Sequence, residues 1–313
     1  MTVINAPGRK ARLGRTLRRM SKCWQLYILI APAVIYFVVC HYWPIYGLQI
    51  AFRNYKAKLG ITGSQWVGLA HFERFITGPN FWNLLRNTLS ISISNLIFGF
   101  PLPIILALTL NELRSHRFKR LVQTVSYAPH FISTVVMVSI INIFTNVNTG
   151  ILNKLLSFVG AGPYDFMTTA SWFPTIYVVS GIWQSMGWSS IIFLAALAGV
   201  DVSQTEAAMV DGASRLKRIW HVNLPAILPT IVIMFILNAG RVMSVGYEKA
   251  YLMQNALNME YAELISTYVY KVGLINTQYS FSAAVGLFNS VCNVILLLAV
   301  NTVSKRISDT GLL

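Results

Sequence analysis

Residues 166–200 read FMTTASWFPTIYVVSGIWQSMGWSSIIFLAALAGV and contain no Asp, Glu, Lys or Arg. A helix needs about 20 predominantly apolar residues to cross roughly 30 Å of hydrocarbon, and this run exceeds that length. Five other uncharged runs long enough to span occur along the chain, at residues 23–52, 87–111, 121–153, 219–240 and 272–304. The sequence therefore predicts an all-α, polytopic membrane protein with about six transmembrane helices.

The overall composition agrees with this prediction. Of the 313 residues, 55% are hydrophobic and 11% are charged, whereas about a quarter of residues are charged in soluble domains. A chain this apolar is neither an ordinary soluble protein nor a disordered one. We predict a basic segment over residues 1–24, a transmembrane domain over 25–308 with a cytoplasmic loop at about 200–222, and a short tail over 309–313.

The basic residues are distributed unevenly between alternate connections. If the N-terminus is cytoplasmic, segments 1–24, 111–120, 200–222 and 305–313 lie on one side and hold 16 of the 25 Lys and Arg residues. Connections rich in Lys and Arg stay in the cytoplasm, so we predict that both termini are cytoplasmic. The basic cluster before the first run is expected to contact anionic lipid, and no sequence motif supports nucleic-acid binding.

The sequence lacks the signatures of an enzyme or of a proton-driven pump. The uncharged runs carry no ionisable relay, and Walker A, HExxH, GxSxG and DFG patterns are absent,. Cys23, Cys40 and Cys292 have no spacing that predicts a zinc site or a disulfide framework,. We therefore predict no catalytic residue, cofactor or metal in this chain, and any active transport needs an energy source in a partner.

Neutral polar and aromatic side chains lie within the runs, where amides and rings suit a sugar. The candidate pathway residues are Trp183, Gln184, Trp188, Asn238, Arg241, Asn289 and Asn293. Such side chains also join helices by hydrogen bonds in lipid, so helix packing is the alternative for each. Arg241 follows the shortest run and either lies at membrane depth or extends to the interface. Pro129 in the third run is expected to mark a kink or a span start, and His130 after it is expected to be interfacial.

The connection after residue 200 predicts a helix, a turn and a second helix. Ser203 and Glu206 have the spacing of a capping box, which predicts a helix that begins at Gln204,. Gly212 is suited to the left-handed conformation that ends a helix. A second short helix should follow before Pro225 starts the next span.

At these residues the sequence resembles the EAA motif of ATP-binding-cassette importer permeases. Glu206-Ala207-Ala208, Asp211-Gly212-Ala213 and Leu224-Pro225 match that motif without departure. The resemblance extends over about residues 25–308. It implies a type I importer permease fold, a multi-pass position in the bacterial cytoplasmic (inner) membrane, and a permease that is not itself an enzyme.

The resemblance also implies partners. These are a second homologous permease, two cytoplasmic ATPase subunits that bind ATP and Mg, and an extracytoplasmic solute-binding protein. In this family the EAA loop is a coupling helix that docks on the ATPase, a role carried here by Glu206, Ala207, Ala208, Asp211, Gly212 and Ala213. The simpler alternatives are that Glu206 only completes a cap and that Gly212 only ends a helix.

Three flanking segments narrow the resemblance to one branch of the family. Residues 66–72, 86–89 and 127–133 are similar to carbohydrate-importer permeases of the polysaccharide type, most of all to bacterial alginate-oligosaccharide importers. This implies an oligosaccharide substrate. Nine Lys or Arg against five acids on the predicted outer side favour an acidic chain, unless those bases face lipid headgroups or the binding protein,. The alternative function is a stand-alone carrier or channel for a small polar solute.

Overall fold

The computed structural model describes residues 23–308. The predicted tail over 309–313 and nearly all of the predicted basic segment over 1–24 lie outside the described residues. Within residues 23–308, five continuous helical segments are long and apolar enough to cross a membrane, and a bent pair makes a sixth. These segments are span 1 (Trp24–Phe52), span 2 (Phe81–Asn111), span 3 (His116–Phe131 with Thr134–Thr145), span 4 (Ala170–Ala198), span 5 (Arg215–Ala239) and span 6 (Tyr279–Arg306). The predicted all-α fold with about six spans is confirmed.

The spans are built from α-helices joined by tighter or wider turns. The α-helices are Trp24–Phe37, Phe81–Ser94, Pro101–Asn111, His116–Tyr127, Thr134–Thr145, Phe173–Ala198, Arg215–Arg218, Leu224–Ala239 and Tyr279–Ser308. The π-helical turns are Val38–Tyr42, Asn95–Gly99, Ile219–Asn223 and Lys271–Ile275, and the 3₁₀ segments are Trp43–Phe52, Ala128–Phe131 and Ala170–Trp172. The helices outside the spans are Gly60–Gly63, Ala70–Ile76, Ile151–Phe158, Val202–Val210, Tyr247–Met253, Met259–Ala262 and Ile265–Tyr270.

Span 3, predicted within the uncharged run 121–153, consists of two helices. Its two helices meet at an angle of 103°. Pro129 lies in the 3₁₀ turn that ends the first helix, and Ile132 has an extended backbone with ψ of 128°. The Ser133 hydroxyl accepts a hydrogen bond from the Val136 N–H and caps the second helix,. Pro129 and the Ser133 cap thus divide a run that is apolar throughout into two helices.

Span 2 changes its helical geometry at mid-length without ending. Asn95–Gly99 forms a π-helical turn, and Pro101 begins the next α-helix. Pro101 has no N–H to donate to the preceding turn, so the helix widens at this point. The wide turn places Asn95 and Gly99 beside the cavity described below.

Spans 2, 4 and 5 share a packed core. Ala107, Phe193, Leu197 and Ile227 belong to one buried cluster that joins these three spans near the connection between spans 4 and 5. Span 4 also packs tightly on span 3 at Gly187, where an added Cβ would collide with the backbone of Ser126. These contacts fix the three spans relative to one another.

Span 1 contributes little to this core. None of the residues of Trp24–Phe37 is buried, and its large apolar side chains are exposed. Such a helix matches the hydrocarbon environment predicted from its composition. The chain after it forms a short antiparallel hairpin of Arg53–Lys56 and Ser64–Trp66.

The hairpin docks on the start of span 6. The Tyr55 N–H donates a hydrogen bond to the Ser280 hydroxyl at 2.8 Å. Phe75, on the helix after the hairpin, packs edge-to-face on Phe281. The connections before span 2 and before span 6 therefore lie together.

Candidate functional site

A cavity of about 620 Å³ is lined by spans 2, 4 and 5 and by the segment that follows span 5. This volume lies within the range of small-ligand sites, about 300–1,000 Å³. The polar residues of the lining are Ser92, Asn95, Tyr177, Gln184, Ser185, Trp188, Ser189, Asn238, Arg241, Ser244 and Lys249. Asn95 and Gln184 lie near the middle of spans 2 and 4, so the cavity reaches the centre of the apolar segments.

The charged residues of the cavity lining are both cations. Arg241 and Lys249 belong to the lining, which includes no Asp or Glu. The exposed Arg241 guanidinium makes no hydrogen bond or ion pair that the structure of residues 23–308 shows. A cavity with two positive charges and no acid attracts anions.

Lys249 is held at the cavity wall by Tyr177 of span 4. Its Nζ donates a hydrogen bond to the Tyr177 carbonyl oxygen at 2.8 Å and lies 4.6 Å from the centre of the Tyr177 ring. Burial lowers the pKa of Lys249 to about 8,. At neutral pH the ammonium therefore remains mostly protonated, with one bond to a neutral carbonyl and no carboxylate partner among residues 23–308.

Four of the seven predicted pathway residues line this cavity: Gln184, Trp188, Asn238 and Arg241. Gln184 also has a packing role, since its Nε2 donates to the Ile132 carbonyl oxygen at 2.9 Å across the bend of span 3. The Asn238 Nδ2 donates to the Met234 carbonyl oxygen at 2.7 Å within its own helix. Gln184 thus joins spans 3 and 4, as the packing alternative expects, whereas the Asn238 bond stays within span 5 and joins no two helices.

The other three predicted pathway residues are not among those that line the cavity. Trp183 is 49% exposed on the surface of span 4. Asn293 accepts from the Met243 N–H at 2.9 Å and donates to the Ser244 hydroxyl at 2.8 Å. Asn293 therefore holds the turn after span 5, which carries Arg241. The Asn289 Oδ1 is buried without a hydrogen-bond partner in the described part of the chain.

An aromatic stack at the cavity edge includes a residue that was expected to be interfacial. His130 lies parallel to Trp188, with 4.5 Å between ring centres and 4° between ring planes. Phe131 contacts the same Trp188 edge-to-face at 5.6 Å. The bend of span 3 brings His130 and Phe131 against Trp188, which lines the cavity.

The connection between spans 4 and 5, residues 199–214, forms an exposed helix and a left-handed turn. The predicted helix is present as Val202–Val210, but its N-cap is Asp201 and not Ser203. The Asp201 carboxylate accepts from the Ser203 N–H at 2.9 Å, which lowers the pKa of Asp201. Asp201 caps the helix in preference to Ser203 because its side chain is charged and adjoins the positive end of the helix.

Gly212 has φ of +74°, so the predicted left-handed conformation is confirmed. The expected start of span 5 at Pro225 is wrong. Helix begins at Arg215 with Ser214 as its cap, and a π-helical turn carries it into Leu224–Ala239. Pro225 is compatible with this continuous helix because it follows the wide turn. Ala213 and Ser214 therefore connect the left-handed turn to the continuous helix of span 5.

The loop exposes its EAA residues. Glu206, Ala207, Asp211 and Gly212 are exposed, and Ala208 and Ala213 are half-buried. Met209 and Val210 are 49% and 88% exposed. Exposed apolar side chains beside an exposed carboxylate are typical of a docking surface.

This chain belongs to the family of binding-protein-dependent transport system inner membrane components, whose model matches residues 99–309. It is 45% identical to Protein LplB of Bacillus subtilis (strain 168), over 92% of this chain and 90% of that protein. It is 43% identical to the polygalacturonan/rhamnogalacturonan transport system permease protein YteP of the same organism, over 97% and 95%. The chain is thus a membrane permease component similar to permeases of carbohydrate transport systems.

Solved structures show the same fold. The chain superposes with a TM-score of 0.85 on a bacterial ABC transporter involved in the import of the acidic polysaccharide alginate, at 37% identity over 94% of this chain and 99% of the other. A bacterial alginate ABC transporter in complex with an alginate pentasaccharide-bound periplasmic protein gives 0.86 at 36% identity, over 95% and 100%. The predicted type I importer permease fold and the predicted likeness to alginate importers are confirmed.

Proposed function

We propose that this chain, together with a second permease, forms the membrane passage of an ATP-driven importer for acidic oligosaccharides. The observation that carries the proposal is the cavity at the centre of spans 2 and 4, whose lining holds Arg241 and Lys249 and no acid. Uronate chains carry one carboxylate per sugar, and two cations among amides and rings match that chemistry.

The relatives support an acidic carbohydrate. The two most informative ones are named for polygalacturonan/rhamnogalacturonan transport and for alginate import, at 43% and 37% identity. Permeases named for arabinooligosaccharides and trehalose are 28% and 32% identical. Closer similarity to the transporters of acidic polymers favours the same substrate class here.

The energy for transport would come from two cytoplasmic ATPase subunits, which bind ATP and Mg. The exposed EAA residues would dock on them: Glu206, Ala207, Ala208, Asp211, Gly212 and Ala213. The loop adjoins the continuous helix of span 5 at Ser214, so movement of the docked loop reaches a cavity-lining span. The ATPases can drive the switch between inward and outward access only if their closed and open states bind this loop with different affinities. A solute-binding protein on the other side would deliver the substrate.

The inferred location is the bacterial inner membrane, with the loop and both termini in the cytoplasm. Single cysteines placed at Ser115 and Ser214 should react with an impermeant maleimide only from the cytoplasmic side, because bases are concentrated on that side. A cysteine at Gly60 should react only from outside. Labelling of the Ser214 position from outside would contradict both the orientation and ATPase docking by this loop.

A stand-alone carrier or channel is the competing function. We expect vesicles that contain only this chain to show no downhill flux of oligosaccharide, because the cavity needs the second permease and the driven loop. Vesicles that also contain the second permease, the ATPases and loaded binding protein should accumulate substrate when ATP is inside. Downhill flux through the chain alone would favour the carrier.

A further inference from the structure

A half-buried polar contact joins the start of span 5, next to the loop, to the end of span 2. Glu112, directly after the end of span 2, accepts from Arg218 Nη2 through Oε2 and from the Asn223 Nδ2 through Oε1, the latter at 3.0 Å. The side chains of Arg218 and Glu112 are only 13% and 11% exposed. Both oxygens of one carboxylate are therefore occupied by donors from the first turns of span 5.

Arg218 also reaches back to the loop. Its Nη1 donates to the Ala213 carbonyl oxygen at 3.2 Å. Between Ala213 and the helix lies Ser214, whose backbone is extended with ψ of 162°. An extended residue between two helices is a joint that can bend, and the Arg218 bond closes this joint.

The contact therefore connects three elements with separate tasks. The left-handed turn at Gly212 belongs to the loop, while spans 2 and 5 line the cavity through Asn95 and Asn238. A hydrogen-bonded ion pair away from water resists displacement more than a surface pair does, because losing one partner leaves an unpaired buried charge. Movement of the loop is then shared between both spans.

We propose that Glu112, Arg218 and Asn223 form a coupling clamp that makes the EAA loop, span 2 and span 5 move as one unit during ATP-driven transport. They are positioning residues, since none of them lines the cavity. Without the clamp, the joint at Ser214 absorbs the motion of the docked loop, and span 2 no longer follows. This inference rests on the proposed docking of the loop on an ATPase.

The test uses the complete complex in vesicles and measures substrate taken up per ATP hydrolysed. Glu112→Gln preserves side-chain shape and an acceptor for Asn223 while removing the charge that pairs with Arg218. We expect this ratio to fall about tenfold, within the range of coupling between distant sites. Hydrolysis itself should continue, because the ATP sites lie in the partner subunits.

Three further variants identify the cause of a loss. The double variant Glu112→Arg with Arg218→Glu restores opposite charges between spans 2 and 5 but not the bond to the Ala213 carbonyl oxygen, so it should recover only part of the ratio. Arg218→Lys keeps the charge but loses the two-point geometry, so its ratio should be intermediate. Glu73→Gln removes an exposed acid that makes no ion pair in the described part of the chain, and it should match the wild type.

A ratio per ATP is independent of how much complex assembles. Fewer complexes with an unchanged ratio would show that the contact only supports folding, and this result would overturn the coupling clamp. An unchanged ratio in both Glu112→Gln and Arg218→Lys would do the same. If the wild-type complex shows no ATP-dependent uptake, the proposed function fails, whatever the variants do.

Discussion

Gly212→Val is expected to abolish ATP-driven uptake while the chain remains inserted in the membrane. Gly212 has φ of +74°, and a left-handed conformation costs an L-residue roughly 1–2 kcal/mol, with β-branched residues the least tolerant. Beyond the chain neighbours of Gly212, no atom of residues 23–308 lies within 4 Å of an added Cβ, so the Cβ itself fits. The substitution alters the turn and the surface that the proposed ATPase partner would contact.

The measurement is ATP hydrolysis by the assembled complex with and without loaded binding protein. Hydrolysis should persist and lose its response to the binding protein, because the ATP sites are intact and the loop no longer docks correctly. Gly212→Asn is the matched control, since Asn tolerates the left-handed conformation. Recovery in the Asn variant assigns the defect to the backbone, and failure of both assigns it to added bulk. Normal transport by the Val variant would remove Gly212 from the mechanism.

The second large effect is expected from the two cavity cations. The double variant Arg241→Gln with Lys249→Met should reduce uptake of uronate oligosaccharide about a hundredfold or more, because hydrogen bonds to charged groups contribute roughly 1.5–3 kcal/mol each. Uptake of any neutral oligosaccharide that the complex accepts should change far less. The measurement is the ratio of acidic to neutral uptake at the same ATPase rate.

Two control variants separate a local effect of the cavity from a general effect of charge. Lys249→Arg keeps a cation at the wall and should retain most of the preference for acidic chains. Lys58→Gln removes an exposed base outside the cavity lining and should have little effect. An equal loss with Lys58→Gln would indicate general attraction by surface charge. An unchanged acidic-to-neutral ratio in the double variant would contradict a carboxylate-binding cavity.

The number of spans could be predicted because the membrane interior excludes charged side chains, so each span appears in the sequence as an uncharged run. Pro129 indicates a kink or a span start in span 3, but the size of the bend could not be predicted, because Pro129 and Ser133 act locally within a run that is apolar throughout. The N-cap was misassigned for a related reason. Ser203 and Glu206 have ideal capping spacing, yet Asp201 stands two residues earlier and takes the cap.

The site was predictable where it depends on a contiguous motif. The loop around Glu206 and Gly212 follows from local helix and turn rules, so its geometry was foreseen. Lys249 was missed because it lies outside the uncharged runs, and only the fold of helix Tyr247–Met253 brings it beside Tyr177. Glu112 was missed as well, because its partner Arg218 is distant in sequence.

The most direct test of this account measures ATP hydrolysis by the complete reconstituted complex. Binding protein is added either empty, loaded with uronate oligosaccharide, or loaded with neutral maltodextrin. The account predicts strong stimulation by the uronate-loaded protein and little by the other two, because both the coupling loop and the cationic cavity must be engaged. Equal stimulation by the maltodextrin-loaded protein would contradict the acidic substrate, and no stimulation by either loaded protein would contradict an ATP-coupled importer.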